Sequence, residues 1–181
     1  MFYFIVSTRR VAMLAALIAA FGMTGSAFAQ RDAGSKARGE FGNYWSTQSS
    51  GRSIRHATEY NADLHQYLTA EPNVDPAYIK KQSAEIGRNL EAAKKDIANV
   101  KKDVPAGDKE AAAQVTKVEQ HLATAAEKHE QLHQCCKKDG MDVKGAATCC
   151  KEMMDALKAV QAEHDALVKK LNPTAPPAVQ K

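Results

Sequence analysis

Residues 76–104 read PAYIKKQSAEIGRNLEAAKKDIANVKKDV, and this stretch decides the fold. Ile79, Ser83, Ile86, Leu90, Ala93, Ile97, Val100 and Val104 recur at alternating steps of four and three without a break. That is the spacing of one face of an α-helix. Asp75 stands where a side chain can cap the first turn. Pro76 suits the first helical position, where its missing amide hydrogen costs nothing. Pro105-Ala106-Gly107-Asp108 then stops this helix and starts another.

The same period continues on both sides. Downstream, Val115, Val118, Leu122, Ala125, His129, Leu132 and Cys136 form one stripe. Cys150, Met153, Leu157, Val160, His164, Leu167 and Leu171 form the next, which Asn172-Pro173 ends. Upstream, Ala57, Tyr60, Leu64 and Tyr67 mark a helix from Ser53 to about Thr69. Period two appears nowhere, and Ala, Lys, Glu and Gln dominate. Four amphipathic helices with short connections predict an all-α, up-down-up-down four-helix bundle over residues 52–171. Its last three helices would each be about 40 Å long at 1.5 Å per residue.

Flanking segments read differently. Residues 1–29 have the form of a cleaved signal peptide: Arg9-Arg10, an apolar run of about 13 residues, then small residues to Ala27-Phe28-Ala29. That run is short of the roughly 20 residues needed to span a bilayer. The expectation is a periplasmic or secreted protein with no membrane span after signal removal. Residues 30–51, rich in Gly, Ser and charge, read as a flexible linker, with Phe41, Tyr44 and Trp45 as an aromatic plug or partner-docking patch. Residues 172–181 read as a disordered, Pro-rich tail. The formal charge of +4 falls to +2 without Arg9 and Arg10, and acidic and basic residues are interleaved. Such a balance points away from nucleic acid.

Chemistry concentrates in HLATAAEKHEQLHQCCKKDGMDVKGAATCCKEMM, residues 121–154, which holds all four cysteines. Soft sulfur and imidazole together suggest a metal site at one end of the bundle, built from His129, His133, Cys135, Cys136, Cys149, Cys150 and Met153. Thiolate and thioether favour Cu(I), while thiolate with imidazole also suits zinc, so copper is expected ahead of zinc. A helical hairpin would bring Cys136 and Cys150 onto facing seams, with Cys135 and Cys149 one step around. Two parallel disulfides are the competing expectation, in which case the protein is a stapled helical adaptor that binds another protein. Both states could be used, with oxidation releasing the metal. His56, His121 and His164 fall near a common level further along, as a second polar cluster. For His129 and His164, which lie on the apolar stripes, the plainer expectation is a core histidine satisfied by a neighbour.

His129-Glu130-Gln131-Leu132-His133 matches HExxH, the zinc motif in which two histidines hold the metal and the glutamate activates water. A small zinc metallohydrolase would also need a third ligand and a substrate cleft. Glu130-x-x-His133 is half of a di-iron signature, but no second Glu-x-x-His occurs. The expected function is therefore non-enzymatic metal binding. On export, helical architecture and thiols facing a bundle interior, the chain resembles bacterial copper-storage four-helix bundles. That resemblance implies Cu(I) held by cysteine sulfur, with His and Met near the open end. It departs in having four cysteines at one end instead of Cys-x-x-x-Cys pairs along the bundle, which implies a small site and not bulk storage.

Overall fold

The computed structural model describes residues 42–137 and 141–173. The signal peptide, the first part of the linker with Phe41, the Asp139-Gly140 loop and the tail beyond Pro173 lie outside the described residues. Within them the chain forms four α-helices: α1 (Gly42–Ala70), α2 (Pro76–Asp103), α3 (Lys109–Lys137) and α4 (Val143–Leu171). Each packs on two neighbours in the cyclic order α1-α2-α3-α4, and the diagonal pairs make no contact. This is the up-down-up-down bundle that the 3-4 spacing implies.

Local chemistry sets the helix ends. Asp75 caps α2 by accepting the Ala77 amide at 2.8 Å, with Pro76 behind it. Asp108 accepts the Ala111 amide at 2.9 Å ahead of α3, and Asp142 accepts the Gly145 amide at 2.9 Å ahead of α4. Asn172, at φ 37°, closes α4 in the left-handed conformation that asparagine tolerates better than most residues. At the α3–α4 turn the Asp142 amide donates to the Cys135 carbonyl at 3.2 Å, which fixes the hairpin base beside the cysteines.

One boundary differs from expectation. Residues 42–51, read as linker, are the first turns of α1, and Thr47 and Ser50 are buried within them. Gly and Ser are poor helix formers, so local propensity misleads here. Tertiary packing overrides it. The Thr47 hydroxyl donates to the Tyr44 carbonyl and the Ser50 hydroxyl to the Thr47 carbonyl, both at 3.0 Å. With their protons satisfied in this way, the small side chains let α1 approach α4 closely. Gly51 is the closest case: a Cβ there would lie 2.9 Å from His164 Cε1.

The α2 stripe is buried from Ile79 to Val100 as the spacing predicts, and Val104 is half-buried beyond the helix end. In α1 the buried line is Ile54, Ala57, Asn61, Leu64 and Leu68, so the core runs one residue past the expected Tyr60 and Tyr67, which are half-buried. The displaced position goes to Asn61. It is fully buried, and its amide donates to the Cys150 carbonyl at 2.8 Å.

Candidate thiol site at the hairpin end

All four cysteines are free thiols. Cys149 and Cys150 are buried, Cys135 and Cys136 half-buried, and Met153, one turn further along α4, is fully buried. The angular step of about 100° per helical residue explains how they divide. On α3, His129 and His133 fall on one flank of the apolar stripe and Cys135 falls on the opposite flank, because residues two apart never share a face. On α4, Cys149 and Cys150 straddle the line of Ala146, Met153 and Leu157. Cys150 takes the α1 side, where Asn61 reaches its carbonyl. Cys149 takes the α3 side, where Glu152 pairs with Lys128 of α3 at 2.7 Å, and Cys135, seven residues on from Lys128, shares that flank.

The seven expected ligands are therefore not gathered into one site. Among the described residues, no three His, Cys, Asp or Glu side chains converge to hold a metal. His129 and His133 face α2 instead. His129 Nε2 lies 2.8 Å from the Ser83 carbonyl, which can only accept, so His129 carries its proton on Nε2. His133 Nε2 stands 3.1 Å from the Ser83 hydroxyl, within hydrogen-bond distance. Both rings are spent on one serine, packed edge to face at 4.6 Å. Glu130 points outward and accepts the Gln134 amide at 2.6 Å. In this arrangement the HExxH pattern has neither metal-facing nitrogens nor a carboxylate aimed between them.

The second expected cluster is likewise dispersed. His56 is exposed, His121 half-buried, and His164 is turned onto α1. Because the Ser50 hydroxyl already donates to Thr47, its oxygen accepts from His164 Nε2 at 2.9 Å. His164 Nδ1 is left buried without a hydrogen-bond partner, 3.9 Å from the Asp165 carboxylate. The two core histidines are thus held alike. Each donates from Nε2 to a Ser or carbonyl on the facing helix, and each ring edge fills the space beside a glycine, Gly51 or Gly87. The glycines are the signal that spacing alone did not reveal.

Burial lowers the pKa of both His164 and His129 below the ordinary 6.5. Asp165 opposes the shift at His164; at His129 the bond to the Ser83 carbonyl and the charge of Glu130 oppose it, while His133 and Lys94 reinforce it. A depressed histidine pKa means that the unfolded chain binds the proton first. Stability from these sites is then complete above pH 6.5 and falls as pH drops below it, levelling once the folded-state pKa is passed. The melting temperature should decline from pH 7 towards pH 5, and His164→Asn should flatten part of that decline. An unchanged slope in the variant would show that His164 does not carry it.

The thiols are shifted the opposite way. Burial, then the neighbouring thiols, pushes Cys150 up to about 12. Burial, then the charge and contact of Cys135, pushes Cys149 to about 11. Burial also raises Cys136. These are protonated thiols at neutral pH and poor nucleophiles. Lys128, paired with Glu152 at 2.7 Å, is the one charge that favours the Cys149 thiolate. At the opposite end of the bundle, Trp45 is 54% exposed and borders a groove of about 800 Å³ with Arg52, Lys95 and Asp96.

Comparison with protein families, with curated proteins and with solved structures finds no match to this chain.

Proposed function

We propose that the protein binds a single soft monovalent cation, Cu(I), between the sulfurs of Cys135 and Cys149, and does so without catalysing a reaction. The observation that carries this reading is the flank these cysteines share: Cys135, seven residues on from Lys128, and Cys149, three before Glu152, lie on the sides of α3 and α4 that the Lys128–Glu152 pair joins at 2.7 Å. Two sulfurs on facing helices suit Cu(I), a soft ion that accepts two-coordinate thiolate binding. Zinc needs about four donors in a tetrahedron, and among the described residues no three His, Cys, Asp or Glu side chains converge. Met153, four residues after Cys149 and fully buried, supplies a neutral sulfur beside the pair. Cys136 and Cys150 contribute by excluding water from the site.

The high thiol pKa values bear on selectivity. A cation must displace protons held to about pH 11, so ions with weak sulfur affinity are disfavoured. The signal read in residues 1–29 would place this site outside the cytoplasm, where an exported protein meets copper. The test is a titration of the reduced protein with Cu(I) against a coloured Cu(I) chelator. One equivalent withdrawn from the chelator, with zinc unable to compete, supports the reading. Copper left wholly with the chelator contradicts it.

A further inference from the structure

We propose that Cys135 and Cys149 are also a disulfide-forming pair, and that Cys136 and Cys150 stay reduced when it forms. The bridge removes both sulfurs that hold the cation in the reading above, so oxidation state governs the site.

Geometry selects this pair among the alternatives. α3 ends at Lys137 and α4 starts at Val143, and the bond from the Asp142 amide to the Cys135 carbonyl keeps these two ends level. At 1.5 Å per residue, Cys135 stands about 3 Å in from the hairpin end and Cys149 about 9 Å in. Helical side chains lean towards their own N-terminus. Cys135 therefore leans away from the hairpin end and Cys149 leans towards it, which narrows the difference. Cys136 and Cys150 stand about 1.5 Å and 10.5 Å in, a wider gap on the same count. By the 100° step, Cys136, seven residues on from His129, falls on the His129 flank of α3, and Cys150 falls on the side of α4 where its carbonyl accepts from Asn61 of α1. Adjacent cysteines within one helix face about 100° apart, which disfavours a Cys135–Cys136 or Cys149–Cys150 bond.

Access orders the steps. Cys135 is half-buried, Cys149 is 9% exposed and Cys150 is fully buried. With a small disulfide as oxidant, the Cys135 thiolate attacks one oxidant sulfur and expels the other as a thiolate. Cys149, deprotonated in turn, attacks the Cys135 sulfur of the mixed disulfide and releases the second small thiol. Two protein thiols become one cystine while the oxidant becomes two thiols, so protons and electrons balance.

The experiment is to oxidise the reduced full-length protein with oxidised glutathione, quench it by alkylation, digest it with trypsin and sequence the linked peptides. The expected product joins residues 129–137 to residues 145–151 through Cys135 and Cys149, with Cys136 and Cys150 alkylated. Cys135→Ser and Cys149→Ser should each slow bridge formation at least tenfold, whereas Cys150→Ser should leave its rate within about twofold. A bridge through Cys136 or Cys150 at equal or greater rate overturns the assignment, as does a bond between adjacent cysteines or no bond at all. The two readings fail separately. A bridge in a protein whose reduced form ignores Cu(I) defeats the copper reading alone, and Cu(I) binding without this bridge defeats the redox pairing alone.

Discussion

Replacing Cys135 or Cys149 by serine should lower Cu(I) affinity by at least 100-fold, about 2.7 kcal/mol or more. Each substitution deletes one of the two sulfurs assigned to the ion, and a serine hydroxyl is a hard donor that Cu(I) does not favour. The ranking of the other positions carries as much information. Cys136→Ser and Cys150→Ser should cost tenfold or less, because those thiols turn towards α2 and α1. His129→Ala should change affinity little, since its Nε2 is bonded to the Ser83 carbonyl at 2.8 Å. Competition titration of the five variants against one chelator measures all of this. Equal losses at all four cysteines would indicate a four-thiolate site and a different side-chain arrangement.

The second large effect is on stability. Gly51→Val should destabilise the fold by on the order of 3 kcal/mol. The added Cβ would sit 2.9 Å from His164 Cε1, and His164 is 3% exposed, so the ring has little room to move. Overpacking costs about 1–3 kcal/mol, and breaking the Ser50–His164 bond leaves two buried polar groups for a similar further sum. Valine gains only a few tenths of a kcal/mol over glycine in helix propensity, which does not offset that loss. Domains of this size are stable by about 5–15 kcal/mol, so the variant should lose a large share. A second substitution, His164→Ala, should cost much less in the Gly51→Val background than alone, because the clash goes with the ring. Chemical denaturation of the four proteins completes the cycle. A Gly51→Val protein as stable as the parent would mean that α1 and α4 do not meet at this glycine.

The bundle was legible because its helices obey one period. In α2 every position from Ile79 to Val100 taken from the 3-4 spacing is buried. What was not legible has a common physical cause, namely small or polar residues doing core work. Residues 42–51 look like linker because Gly and Ser form helices poorly. They are helical because Thr47 and Ser50 bond back to their own carbonyls while Gly51 admits His164. Asn61 was passed over for Tyr60 because asparagine is seldom buried, yet its amide ties α1 to the Cys150 carbonyl.

The site was legible as a region and not as a constellation. Linear proximity grouped His133 with Cys135, two residues apart. On a helix that spacing sends side chains to opposite flanks, so the imidazoles went to α2 and the thiol to α4. The adjacent cysteines divide for the same reason, Cys149 towards α3 and Cys150 towards α1. Reading flank as well as stripe would have separated them. The satisfied-histidine expectation describes His129 and His164 well, and Ser83 and Ser50 are the partners.

The central claim is that reduced thiols on facing helices bind Cu(I) in the folded state, and paired melts of the reduced protein test it most directly. A ligand that prefers the native state stabilises it by about 2.7 kcal/mol at a free concentration of 100 Kd. For a domain of this length that corresponds to an upward shift on the order of 5–10 °C. The unfolded chain also offers adjacent cysteines to copper, which reduces the shift but does not reverse it, because only the fold opposes Cys135 to Cys149. One equivalent of Cu(I) should therefore raise the melting temperature of the parent and leave the Cys135→Ser/Cys149→Ser protein unchanged. An identical melt with and without Cu(I) in the parent would contradict the account.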